Sequence, residues 1–359
     1  MAGLPQWQEF DNQTPGWESD GVEPPQNRKT AGYQAGYKPP ADWFNWFWTR
    51  VSKCIAEMQE KIKTLWQAII DTTDRADAQS AIVSRVYQGV DLTVVFAEEI
   101  AGYSDVWAWI QARAQDGNFA GLNVGDYIPF VAGGNTIKAE IAGMDTYFEY
   151  GSPVVGHHID FISRDCWPEP QQWNKAAYNN GLAAVMNPWM CSNMYAWLNS
   201  LSMSVPNAAT ANPATVAVNY STTGVYDKLP TALKNVIVSK VSRLPRRFTA
   251  GTLLTDDNNS DWQNMGKLWL PSEVEVYGAR MWGTWTNAYG VMGQVQYPIF
   301  ANNMKRIKGG RDGGAGVSWW LSTPSGSSAY IASSYSDGTA GSLAANNAVL
   351  SSPVCFRIA

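Results

Sequence analysis

Charge is scarce in this chain. Of its 359 residues only 16% are Asp, Glu, Lys or Arg, and the formal net charge is −5; soluble domains usually carry about 25% charged residues. The RLPRRF run at 243–248 is the one basic cluster, expected as a solvated loop, so the sequence argues against a nucleic-acid groove. Histidine is rarer still, confined to His157 and His158. The four cysteines, Cys54, Cys166, Cys191 and Cys355, show no C-x-x-C and no metal spacing. They are expected as free, mostly buried thiols of a reducing compartment, with a Cys166–Cys191 bridge the one pairing left open. No apolar run approaches 18 residues, so no membrane span is expected, and the opening MAGLPQWQEF lacks the basic-then-apolar order of a secretion signal. Nucleophile elbow, Walker loop, dinucleotide fingerprint and HExxH are all missing.

Aromatic residues are abundant: 18 Trp and 16 Tyr. An aromatic, weakly charged surface suits recognition and oligomer interfaces better than a lone cytosolic enzyme. Residues 1–40 are rich in Pro, Gly, Gln and Asn. Repeated Pro forbids continuous helix or central strand, so an extended arm is expected. It still carries Trp7, Phe10, Trp17, Tyr33 and Tyr37. Such aromatics are the anchors an arm would use to dock on another protein, or to fold back on its own chain.

At residue 41 the period changes. Pro39 and Pro40 stop the arm, Asp42 can cap, and a helical segment is expected over 41–88. From Trp48 apolar residues recur at alternating steps of three and four: Val51, Ile55, Met58, Ile62, Leu65 and Ile69. That is an a/d seam over three heptads, and Ile at successive a positions favours more than two strands, hence a trimer. The alternative is an amphipathic helix packed on its own domain. Thr72 and Thr73 weaken the seam, so fraying is expected beyond them.

Residues 89–359 offer no linker and no solenoid repeat, and form one expected α+β domain. SDVWAWIQARAQDG (104–117) has helical spacing; VGDYIPFV and TIKAEIAGMDTYFEY flank a Gly-Gly turn and predict a hairpin. PWMCSNMYAWLNSL and LPTALKNVIVSKV predict short helices. Glu273 and Glu275 in PSEVEVYG sit two apart, as on one solvated face of a strand.

Catalytic candidates are few. In GHHID (156–160) the two histidines should point to opposite faces, with His158 and Asp160 sharing one. A zinc site there would need a third ligand, and Cys166 is the only thiol nearby. The oxygen-rich TDDNNSDWQN (255–264) could hold Ca²⁺ but lacks the glycine and closing glutamate of an EF-hand loop; an Asx-turn loop is the default. No cofactor and no resident metal are therefore expected.

KTAGYQAGYKPPADWFNWFWTRVSKCI resembles the N-terminal attachment segment of bacteriophage tail fibres, through Gly36, Lys38, Pro39, Pro40, Ala41, Asn45 and Trp46. A second likeness covers much of 225–359. VYDKLPTALKNVI, KLWLPSEVEVYG, QYPIFANNMKRIK, SWWLSTP and the closing PVCFRIA are similar to a C-type-lectin-like domain, related to formylglycine-generating enzymes and to the variable proteins of diversity-generating retroelements. The resemblance implies a compact α+β head with long loops, in which Trp319, Trp320, Phe356 and Ile358 are core. It departs from the enzyme branch, whose reactive cysteine pair has no counterpart beside Cys355, so the scaffold is expected without the chemistry.

Between SWWL and CFRIA lies SSAYIASSYSDG (327–338), a run of small hydroxyl, amide and Tyr side chains. Antibody loops use the same palette. The expected receptor face comprises Ser325, Ser327, Ser328, Tyr330, Ser333, Ser334, Tyr335, Asp337, Asn346 and Asn347, joined by Trp285, Asn287 and Tyr289 of WGTWTNAYGVMGQ. The alternative is a surface loop that merely covers the Trp pair. The combined expectation is a virion tail protein, made in the host cytoplasm and released with the particle. Its arm enters the tail or baseplate, its helix trimerises, and its head binds a host-surface protein or glycan. The rivals are a structural baseplate or collar protein, and an enzyme acting on envelope polymer through His158 and Asp160.

Overall fold

In the computed structural model, residues 19–248, 260–282, 294–309 and 315–359 are described, with 70–86 described as helical backbone alone. The chain divides into two units, 1–86 and 87–359.

In the first unit, α1 (Gln26–Ala31) starts directly after Pro25, where proline's fixed φ does no harm because no helical N–H is lost. Within the arm expected over 1–40, this corrects residues 26–31 alone, since 1–18 lie outside the described residues: Pro24 and Pro25 initiate a turn of helix, and Gly32, at φ 71°, ends it. The chain then folds back on the next helix. Tyr33 stacks on Tyr37 at 5.7 Å and on Trp43 at 6.1 Å between ring centroids. The Arg28 guanidinium lies 4.8 Å above the Tyr37 ring, and the Thr49 hydroxyl donates to the Ser19 carbonyl at 2.9 Å.

α2 (Ala41–Val86) is 46 residues long, about 69 Å at 1.5 Å per residue. It runs through Thr72 and Thr73 to Val86, where fraying was expected. The stretch beyond them, DRADAQSAIVSRV, has no Gly or Pro to break the helix and three Ala, two Arg and one Gln to favour it.

The second unit is α+β. Its first elements are α3 (Leu92–Val95), α4 (Ala97–Ile100) and α5 (Val106–Gln115), followed by β1 (Tyr127–Ala132), β2 (Asn135–Met144) and β3 (Ile159–Ser163). Asp105 caps α5, accepting from the Trp107 and Ala108 amides. Gly133 and Gly134, at φ 56° and 78°, turn β1 into β2; a two-residue hairpin turn with both φ values positive matches the strand twist. Next come α6 (Asn193–Leu198), β4 (Ser202–Pro206), β5 (Thr215–Asn219), α7 (Val225–Lys228), α8 (Thr231–Val236), β6 (Ile237–Val238), β7 (Val241–Pro245) and β8 (Ser260–Asn264). The last are α9 (Glu273–Tyr277), β9 (Lys308–Gly309), β10 (Gly316–Val317), β11 (Trp319–Pro324), β12 (Tyr330–Ser334), β13 (Ala340–Ala344) and β14 (Cys355–Ile358).

Two antiparallel sheets organise this unit. The larger has the order β1-β2-β3-β14-β6, the smaller β11-β12-β13. β14 thus lies inside the larger sheet, between β3 and β6, and all four of its residues are buried. Phe356 stacks on Phe161 of β3 at 5.2 Å, and Trp107 of α5 meets both rings edge-on. Trp319, Trp320, Phe356 and Ile358 are core residues. Three of the buried tryptophans place their N–H groups on backbone: Trp319 donates to the Arg306 carbonyl, Trp320 to Gln171 and Trp173 to Leu321. An indole so held buries a large ring and pins a loop at once.

Candidate functional site

The smaller sheet sorts the residues of the expected receptor face. Ser333 and Ser334 lie on β12, the central strand, and are fully buried; Ser325, just past β11, is buried as well. All three are corrected from the expected face to supporting positions: a central strand paired on both sides hides Ser333 and Ser334, and Ser325 is turned into its own loop, its hydroxyl accepting from the Ser327 amide. Tyr330 and Tyr335 are 44% and 38% exposed. They bracket β12, five residues apart, and so stand about 17 Å from each other. The single expected face is therefore two separate ends. Tyr335 and Asp337 belong to the β12–β13 turn, where Thr339 donates through its amide and hydroxyl to the Asp337 carboxylate. The Tyr335 ring lies over Gly341, where a Cβ would fall 2.4 Å from it.

The opposite end gathers the other residues. Tyr330 pairs with Ala344, and the Ala345 amide donates to the Ala329 carbonyl, which brings Asn346 and Asn347 beside the 325–330 loop. Exposed Trp282, absent from the expected set, joins them: its carbonyl accepts from the Gly326 amide at 2.8 Å. Trp285, Asn287 and Tyr289 lie outside the described residues. The rim made of Trp282, Ser327, Ser328, Tyr330, Asn346 and Asn347 carries no charged side chain.

Beneath it two buried polar side chains hold the loop. Arg247 donates to the Ser325 carbonyl at 2.8 Å and to the Ser327 carbonyl at 3.3 Å. The Asn179 amide donates to the carbonyls of Ser325, Ser327 and Tyr330. The Ser325 and Ser327 hydroxyls accept from the amides two residues on. A loop with its carbonyls fixed from below presents its outer side chains without paying further ordering entropy on binding. Of the solvated basic run expected at 243–248, Arg246 is exposed but Arg247 is fully buried and is corrected. Nothing in the sequence marked it, since Arg247 lies two residues beyond β7 and reads like its exposed neighbour Arg246.

The other polar concentration is enclosed. Arg357 of β14 grips Asp160 of β3 with two bonds of 2.7 Å, and Tyr297 donates to the same carboxylate at 2.9 Å. Lys240 pairs with Glu275, which also accepts from the Tyr147 hydroxyl at 2.6 Å. All six side chains are buried. Burial pushes the Asp160 carboxyl up, but the Arg357 charge and hydrogen bonds outweigh it and hold the group at about 2. The charges balance in pairs, as buried ions must. Glu273 and Glu275 are buried on α9, not solvated on a strand. The overlooked signal was Ser272-x-x-Glu275, a capping box in which each side chain satisfies the other's backbone amide.

His158 belongs to this interior. The Tyr147 amide donates to its Nε2, leaving Nδ1–H to donate to the Gly156 carbonyl at 2.8 Å. Burial lowers its pKa, so the ring is neutral. It stands 3.9 Å from Asp160, whose oxygens Arg357 and Tyr297 already occupy. The expected opposition of the two rings holds: His157 faces outward, stacked on Phe148 at 4.3 Å, with Nδ1 2.6 Å from Asp145. Among the described residues no group of three His, Cys, Asp or Glu side chains could hold a metal ion. Residues 255–259 of the oxygen-rich loop lie outside the described residues, and its remainder forms β8. Cys166, Cys191 and Cys355 are buried free thiols and Cys54 is an exposed one; no Cys166–Cys191 bridge forms. Burial pushes all three interior thiols well up, Cys191 to about 12.

In the first unit, Tyr33 and Tyr37 stack on Trp43 of their own chain yet keep exposed edges; Trp7, Phe10 and Trp17 lie outside the described residues. Along α2, Val51 and Ile55 are half-buried, whereas Met58, Ile62, Leu65 and Ile69 are exposed. Phe44, also exposed, extends this row one step towards the N-terminus.

The second unit is thus an α+β domain whose final strand is laced into its sheet by a buried ion pair. Residues 161–358, more than half of the chain, match the family described as Domain of unknown function (DUF6273), and the chain belongs to that family. The matched span opens in β3 and closes at the end of β14. No curated protein and no solved structure matches the chain.

Proposed function

We propose that this is a receptor-binding protein of a bacteriophage tail, with a C-type-lectin-like head on a trimeric helical stalk. The observation that carries the reading is the 325–330 loop. Arg247 and Asn179 fix its carbonyls from within, while the uncharged side chains of Ser327, Ser328, Tyr330, Asn346 and Trp282 face a common rim. Rigid aromatic and adaptable amide or hydroxyl groups are the means by which antibody loops bind. Recognition is non-covalent, and the ligand is a host-surface protein or glycan. The exposed row on α2 supports the stalk, and the aromatic arm supports attachment to tail or baseplate. Three heads on one particle would raise weak single contacts by about 10² to 10⁴ where all can engage.

Binding of the labelled full-length protein to a panel of bacterial cells tests this, beside the Trp282→Ala/Tyr330→Ala/Asn346→Ala variant. The expected result is saturable micromolar binding to some strains, at least tenfold weaker for the variant. Equal binding by the variant moves the receptor site elsewhere. Absence of binding to every strain favours a structural baseplate or collar role.

A further inference from the structure

A cavity of about 380 Å³ opens at the foot of α2, lined by Pro24, Arg28, Tyr33, Trp43, Phe44 and Phe47 among others. It is mostly aromatic, and two of its walls are unusually open: Phe44 and Phe47 are 50% and 51% exposed. We propose that this cavity is an intersubunit pocket, completed by the flank of α2 from a second copy of the chain. The inference rests on the proposed helical stalk and adds what lies at its base.

Three observations commit the pocket to a second copy. First, the apolar row on α2 keeps alternating steps of four and three through Phe44, Trp48, Val51, Ile55, Met58, Ile62 and Leu65. A straight helix drifts about 20° per heptad away from such a row, so the row stays on one face only when wound around a partner helix. Second, among the described residues no other helix exceeds the ten residues of α5. The described residues therefore offer nothing of matching length, whereas a second copy offers the same row in the same register. Third, Phe44 belongs to both features: it is a d residue of the row and a wall of the cavity. A helix seated on the row at that level must also face the cavity.

The heptad register says which residue arrives. With Ile55 and Ile62 at a, Phe47 is a g residue and Ser52 an e residue. In a parallel coil each g side chain faces the e position five residues further along the neighbouring helix. Phe47 of one copy therefore meets Ser52 of the next. A small residue there lets the helix approach closely enough to cover both phenylalanines.

Disulfide trapping in the full chain, carrying Cys54→Ser, tests the contact. The Phe47→Cys/Ser52→Cys pair is compared with Ile62→Cys, which reports the row alone. Residues five apart on one helix have Cα atoms roughly 8–9 Å apart, beyond the 7 Å reach of a disulfide, so a 47–52 bond must join two chains. The expected result is efficient crosslinking of both variants under mild oxidation, the pair giving a ladder that stops at three chains. Crosslinking at 62 without any between 47 and 52 overturns the intersubunit pocket and leaves the stalk standing. Crosslinking at neither overturns both. Circular dichroism of each reduced variant confirms that the helix is present when the outcome is scored.

Discussion

The two units of this chain solve the burial problem in opposite ways. The second unit, residues 87–359, hides many of its large side chains and even ions: Trp109, Trp173, Trp269, Trp319 and Trp320 are wholly inside, as are Lys240, Glu275 and Asp160. The stalk unit leaves Phe44, Phe47, Met58, Ile62 and Leu65 exposed along a single helix. A domain with its own core can be stable alone, whereas an isolated helix draws little stability from propensity and depends on packing its apolar face. The head's stability should therefore be a property of one chain, and the stalk's a property of concentration.

The largest effect expected is in the head. Arg357→Met strands the Asp160 carboxylate in the interior, and breaking a buried pair from one side costs about 3–5 kcal/mol. Urea unfolding followed by tryptophan fluorescence should show that loss; a change under 1 kcal/mol would mean the pair is dispensable and the head is held by its indoles alone.

Next comes the stalk. Ile62→Glu places a charge in the row, and light scattering should report a fall from oligomer to single chain, while the head keeps its urea midpoint. A head midpoint that moves with the stalk would break the contrast between the two units.

The smallest effect is with pH, and it too should be confined to the head. Burial depresses His158 below its ordinary 6.5, so the unfolded chain binds that proton first. The stability it contributes is present above about pH 6.5 and declines as the pH falls below it. Burial also opposes ionisation of Glu140, but Lys308, Lys305 and Arg164 outweigh it and lower that carboxyl, and Asp160 sits at about 2. Both carboxylates contribute stability that is full above their unfolded values near 4 and lost as the pH drops towards 2. Urea midpoints at pH 8, 5.5 and 3 should therefore fall in two stages, and His158→Gln should remove the first.

Much of the framework was legible along the chain. The steps of three and four on α2, the Gly133–Gly134 turn and the helix around Trp109 follow from local pattern, while the burial of Trp319 and Trp320 was expected only from the resemblance. Three places were not. The first turn of helix in the arm needed only a Pro25 placed ahead of it. Glu273 and Glu275 were hidden by a five-residue helix, too short to display a period. Arg247 could not be assigned, because its partners at Ser325 and Ser327 lie some eighty residues away.

By itself, then, the sequence determined the periodic parts: a long helix with one apolar face, a hairpin, and an interior of tryptophan. Hydrophobic spacing is a local quantity and can be read without a fold. Only the tertiary structure decided which serines face outward. Ser328 and Ser333 are the same residue type in the same run, and a small hydroxyl side chain costs little on a surface and little inside a strand. What separates them is the pairing of β12 between β11 and β13, which buries the middle of the run and leaves its two ends outside.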